Sequence, residues 1–203
     1  MGSSVELSGV NICRISFIRA DLVQQPEQQM DEADVAFPGT PVLISIADCA
    51  AGNYRRGVVV AATDDNVIVQ FSDAHEEPVP REMVWPANEP ENRFVDDVSN
   101  LVHISSATLV ENVRLGFAQG SIYTWVGGVL VAVNPMRPLP EAYSEEMMRT
   151  CRSVAAGGVR PAHPFAQAEL AMRELVRFSR PASFVVSGES GAGKTEATKQ
   201  CLN

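Results

Sequence analysis

SFVVSGESGAGKTEATKQ, residues 183–200, decides how the second half of this chain is read. Ser183-Phe184-Val185-Val186-Ser187 has the composition of a buried strand. It runs directly into Gly188-Glu189-Ser190-Gly191-Ala192-Gly193-Lys194-Thr195, a complete G-x-x-x-x-G-K-T pattern. Glu196, Ala197, Lys199 and Gln200 then favour a helix. Three glycines let the backbone turn its N–H groups inward, because a side chain there would clash or forbid the dihedrals required. The alternative is a surface turn that merely happens to be rich in glycine. An apolar strand before the motif and helix formers after it favour an anion cradle instead.

That cradle suits the phosphates of a nucleotide, with ATP and Mg²⁺ as the expected cofactors. Lys194 is the expected catalytic cation, reaching the β- and γ-phosphates, and the Thr195 hydroxyl is the expected ligand to Mg²⁺. The positive end of a helix starting near Gly193 would face the same anion. All eight residues, Gly188, Glu189, Ser190, Gly191, Ala192, Gly193, Lys194 and Thr195, are assigned to the nucleotide.

Composition narrows the remaining classes. The 203 residues carry a formal charge of −9, opposite to what sequence-independent nucleic-acid binding requires. Apolar residues at 45% and charged residues at 20% predict a buried core. Cys13, Cys49, Cys151 and Cys201 never form a C-x-x-C pair, so neither a disulfide framework nor a zinc site is indicated. No apolar run reaches membrane-spanning length, and Arg14 and Arg19 interrupt the early hydrophobic stretch, so neither a span nor a secretory leader is expected. His75, His103 and His163 stand apart from one another and are read as surface or capping residues. The pairs Asp64-Asp65, Glu76-Glu77 and Asp96-Asp97 are read as solvated turns.

Upstream, Ile12, Ile15, Phe17 and Ile18 fit a single strand, and Gln24 to Pro41 has the Gln-, acid- and proline-rich composition of a connector. Short β-type runs follow between Val42 and Trp85: VLISI, RGVVVAA, NVIVQF and EMVW. They predict a small antiparallel barrel, in which the alternation of Val67, Val69 and Phe71 against Ile68 and Gln70 places one side-chain set inside. Ser106 is the expected N-cap of a helix carrying Leu109, Val110, Val113 and Phe117, ended by Gly120. Ile122-Tyr123-Thr124-Trp125 runs into Val126 to Val133, a strand candidate interrupted only by Gly127-Gly128. Phe165, Ala168, Met172, Leu175 and Val176 form a helical stripe from Pro164 to Arg180, with Glu169, Arg173 and Arg177 on another face and Pro181 as the stop.

The variable positions of the loop carry a resemblance. GESGAGKTEATK at 188–199 looks like the phosphate loop of the myosin motor domain, and IYTWVGGVLVAVNP at 122–135 resembles the myosin segment entering the adenine-side loop, N-P-x-x-x-x-P-x-Y. Leu101 to Phe117 is similar to the helix that opens the motor core, and the 42–85 region to the SH3-type domain preceding many motor cores. Matched by position, Asn134, Pro135 and Pro140 fall on the adenine-side loop, with Arg137 where the family usually has lysine. The pattern's tyrosine would fall at Ala142, whereas Tyr143 lies one residue later and is taken as its counterpart. Met172 stands where myosins often carry tyrosine.

The resemblance implies a mixed fold: residues 1–40 as extension and linker, 41–88 as an SH3-like β-barrel, and 89–203 as the start of a myosin-type α/β P-loop NTPase. It implies an actin-based ATPase in the cytoplasm and cytoskeleton, meeting actin through regions absent from this chain, with light chains or cargo in the intact protein. The loops that ligate Mg²⁺ and position water lie downstream in that family. This chain alone is therefore expected to grip ATP weakly without hydrolysing it, and a parallel sheet beyond Asn100 is expected to depend on missing neighbours. Two rival readings remain: a nucleotide-binding or protein-interaction module acting through the barrel, and a nucleotide kinase.

Overall fold

The computed structural model describes residues 12–17, 37–46, 54–154, 158–179 and 183–202, the first stretch by its backbone alone. Most of the expected connector, the outer residues of the expected first strand, and Pro181 lie outside the described residues. Described strands are β1 (Ile12–Phe17), β2 (Pro41–Ser45), β3 (Tyr54–Ala62), β4 (Asn66–Gln70), β5 (Glu76–Pro80), β6 (Val84–Pro86), β7 (Tyr123–Val126), β8 (Val129–Val133) and β9 (Phe184–Gly188). Described helices are α1 (Ser106–Ala118), α2 (Glu145–Ser153), α3 (Pro164–Phe178) and α4 (Lys194–Leu202). The chain divides into two compact units: described residues 37–95 and 100–115 belong to the first, and 12–17, 96–99 and 116–202 to the second.

In the first unit, β2 to β6 form an antiparallel sheet in the order β5-β4-β3-β2-β6. Val42, Ile44, Val59, Val67, Val69, Phe71, Val79 and Val84 are its core, so the β4 alternation read from sequence holds. Glu76-Glu77 is not a turn: both residues pair with β4 in β5. Its prolines, Pro78 and Pro80, hid this strand, yet proline is tolerated on an edge, which is where β5 lies. Of EMVW only Val84 and Trp85 are strand; Arg81–Met83 is a 3₁₀ turn. A Cβ on Gly57 would lie 2.3 Å from Val69 Cγ1 and 3.0 Å from the Gln70 carbonyl, so β3 approaches β4 too closely there for any side chain.

Helix α1 begins one residue earlier in its capping than expected. Ser105 Oγ accepts from Thr108 N (3.2 Å) while Thr108 Oγ1 accepts from Ser105 N (2.8 Å), a reciprocal cap. Its far end follows the expectation: Gly120, at φ +87°, donates to the Phe117 carbonyl and Ser121 N to the Gly116 carbonyl. Within the first unit, Ala107 of α1 packs on Leu43 and Ala87. The Arg56 guanidinium holds Glu111 with two bonds from one nitrogen, at 2.8 and 3.0 Å, and donates to the Asn88 carbonyl from the other.

The second unit has the strand order β7-β8-β1-β9. Ile122 to Val133 is a tight hairpin rather than one strand: Gly127, at φ +59°, starts the turn and donates to Asp97 Oδ1 at 2.9 Å. The Asp96-Asp97 pair is thereby structural. β1 is an inner strand beside β8, pairing Ile12 with Val133 of β8 and Cys13 with Gly188 of β9. The sheet is therefore antiparallel in each of its pairings, and the expected parallel sheet is corrected: β8 and β9 share a direction, but β1 separates them.

α2 was not foreseen, although Ser144, which accepts from Met147 N, followed by Glu145 and Glu146, is a helix-start signal. α3 ends at Phe178, where Ser179 adopts φ +51° and donates to the Leu175 carbonyl. Of the expected stripe only Phe165 is buried; the other buried residues of α3, Pro164, Ala166, Gln167 and Ala171, lie outside it. Met172, Leu175 and Val176 are exposed, and the first two line a groove of about 350 Å³ with Phe184 and Leu202. The Glu169–Arg173 pair forms as its spacing predicts, at 2.8 Å, and Arg173 also donates to the carbonyls of Arg152 and Val154 at the end of α2.

Candidate functional site

The strand, loop and helix order read from residues 183–200 is the order observed: β9 ends at Gly188 and α4 begins at Lys194. Between them Gly191 (φ +81°) and Gly193 (φ +89°) occupy the left-handed region, where a side chain would be strained. Ala192 N donates to the Glu189 carbonyl, closing the turn, and Ala197 N donates to the Gly193 carbonyl, opening the helix. Ala192 is buried with Ala197 and Cys201 in the core of the second unit, so the loop is anchored from beneath. Glu189, Ser190 and Thr195 are exposed above it.

Lys194 bends back over the loop, its Nζ donating to the carbonyls of Gly188 (2.9 Å) and Glu189 (2.7 Å). An ammonium and the open N–H groups of a helix start therefore converge on one small surface, which favours an anion. Asn134, immediately after β8, joins this surface: Nδ2 donates to the Gly191 carbonyl at 2.8 Å. Its Oδ1 accepts from Met136 N, forming a side-chain-closed turn with Met136 at φ +52°. Pro135 lies inside that turn and Arg137 follows it, exposed to solvent.

Tyr143 is placed differently from these. Its hydroxyl lies 2.7 Å from that of Tyr123, and its ring packs against His163 and Phe165 at centroid distances of 5.6 and 6.4 Å. Tyr143 ends a 3₁₀ turn, Pro140–Tyr143, with its partly buried side chain packed against the core cluster.

Reading the sequence missed what His163 does beyond capping. It is 3% exposed, N-caps α3 by accepting from Phe165 N at Nδ1 (3.1 Å), and leaves Nε2 buried without a hydrogen-bond partner. Burial lowers its pKa from 6.5 to about 4, with the Ala142 carbonyl offsetting this in part, so the ring is neutral near pH 7. Pro164 at the first helical position was the available signal for this cap. Burial, reinforced by the charge of Glu169, pushes the Cys151 thiol up. Among the described residues no helix is long and apolar enough to cross a membrane.

Comparison with known proteins gives the site its context. The myosin head (motor domain) family matches residues 95–203. Human unconventional myosin-VI is 40% identical over 119 residues, covering 59% of this chain and 9% of that protein. Myosin-6 of Arabidopsis thaliana is 36% identical over 141 residues, 70% of this chain and 9% of its own length. Myosin-9 of the same plant is 33% identical over 150 residues, again spanning 9% of the relative. The chain thus covers a small fraction of the curated relatives it matches, and it belongs to the myosin motor-domain family.

Proposed function

We propose that this chain supplies the phosphate cradle and part of the adenine side of an actin-based, ATP-hydrolysing myosin motor. The observation that carries this reading is the complete motif seated on a strand–loop–helix unit, with Lys194 drawn onto the loop carbonyls of Gly188 and Glu189. An arriving triphosphate would take the place of those carbonyls as the partner of Nζ, while loop and helix N–H groups from Gly188 to Thr195 surround its oxygens. Asn134, Pro135 and Arg137 would flank the base side, where Asn134 is already tied to Gly191.

The donor set fits Mg²⁺ accompanied by phosphate. Thr195, exposed in the first turn of α4, offers one hydroxyl, and phosphate oxygens and water complete the octahedron the ion demands. When bound, Mg²⁺ neutralises charge on the phosphates. In this reading residues 1–40 are extension and linker, 41–88 an SH3-like barrel, and 89–203 the beginning of the motor domain. The intact protein would work on the cytoplasmic cytoskeleton, engaging actin, light chains and cargo through other parts. On its own this chain would hold ATP without turning it over, since hydrolysis also requires groups that ligate Mg²⁺ and orient water.

Titration of the full chain with Mg-ATP, beside Lys194→Ala, tests the reading. Losing the only cation of the motif should weaken binding at least about tenfold, as expected for a charge-assisted contact to phosphate. Equal affinity in the two proteins, with both folded by circular dichroism, overturns it.

A further inference from the structure

We infer that Tyr123, Tyr143 and His163 form a brace that holds the loop after β8 at its far end, making His163 and Tyr143 positioning residues for the base side of the nucleotide. This rests on the proposed nucleotide site. The loop from Asn134 to Ser144 has no ladder partners, and between its ends Met136 and Arg137 are exposed. Leu139 packs against the core, and the rest of the loop depends on how each end is tied. At the near end, Asn134 bonds the Gly191 carbonyl. At the far end, the Tyr143 hydroxyl meets that of Tyr123, 2.7 Å away.

Tyr123 is a firm anchor because it is buried in β7 and pairs with Ala132 of β8, two residues before the loop departs. One hairpin thus both launches the loop and receives its return. His163 closes the arrangement from the side of α3, its ring 5.2 Å from Tyr123, 5.6 Å from Tyr143 and 4.5 Å from Phe165. Because Nδ1 accepts from Phe165 N, the ring proton sits on Nε2, which is buried without a hydrogen-bond partner. The imidazole therefore has a fixed orientation against the loop. The cradle is tied more directly, by β9, by α4 and by the burial of Ala192 in the same core cluster against which Tyr143 packs. Loosening the brace should shift Pro135 and Arg137 while leaving the phosphate contacts in place.

The test uses two ligands on the full chain, Mg-ATP and Mg-tripolyphosphate, the second having no base. His163→Asn keeps a side-chain acceptor for the α3 cap but removes the ring; Tyr143→Phe keeps the ring but removes the hydroxyl. His163→Asn should weaken ATP about tenfold and Tyr143→Phe about threefold, with tripolyphosphate changed by less than about twofold in both. Amide hydrogen exchange at 136–142 should quicken in Tyr143→Phe while that of β9 and α4 does not. Unchanged ATP affinity, or equal losses for the two ligands, overturns the brace, and so does unchanged exchange at 136–142. A wild-type chain that binds neither ligand overturns the nucleotide reading itself, whereas one that binds both with the variants unaltered overturns the brace alone.

Discussion

The side-chain amide of Asn134 donates to the backbone carbonyl of Gly191 across 57 positions of sequence, at 2.8 Å. Asn134 follows β8 and Gly191 follows β9, two strands that never pair with each other but both pair with β1. Asn134→Asp is nearly isosteric but replaces the donor with a carboxylate facing a carbonyl. We expect ATP binding to weaken by about 1 to 2 kcal/mol, roughly five- to thirtyfold, measured by calorimetric titration. An affinity equal to wild type would show that this bond does not position the loop.

Gly57 offers a test in the first unit. The added methyl of Gly57→Ala would meet Val69, which is fully buried, and the Gln70 carbonyl, which is backbone, so neither can yield by a rotamer change. The β3–β4 pairing must part, at about 1 to 3 kcal/mol of stability. Urea unfolding followed at Trp85 should show a lower midpoint, and an unchanged midpoint would mean that the sheet can open there without cost.

Acid should weaken the second unit through His163. Its folded pKa of about 4 lies below the unfolded 6.5, so the unfolded chain binds the proton more readily between these values. Stability from this group is complete above pH 6.5 and is lost as pH falls toward 4. The rings packed on it are those of Tyr123, Tyr143 and Phe165. The loss should be on the order of 2 kcal/mol. Carboxylates also titrate there, so the measurement is the difference between wild type and His163→Asn in denaturant unfolding at pH 7 and pH 4.5. Parallel pH slopes in the two proteins would contradict the assignment.

Local chemistry made much of this chain legible. Gly188 to Thr195 could be placed between strand and helix because each residue type there answers a local demand: positive φ at Gly191 and Gly193, helix formers after them, an apolar run before. The period of β4 and the glycine stop of α1 were readable for the same reason. Where the reading failed, a local signal was outweighed by a distant partner. Glu76-Glu77 and two prolines suggested a turn, but an edge beside β4 accommodates them as β5. Met172, Leu175 and Val176 continue a helical stripe whose far end finds no cover among the described residues.

From the sequence alone came the glycine-rich loop, its flanking strand and helix, and the family, because backbone dihedrals and short hydrogen-bonded turns depend on neighbours a few residues away. Only the tertiary structure decided that β1 stands between β8 and β9, that Asn134 reaches Gly191, and that Tyr143 is held by Tyr123 and His163. Those relationships join residues tens of positions apart or more. Whether such residues meet depends on which elements bury their apolar faces together, and no local pattern encodes that choice.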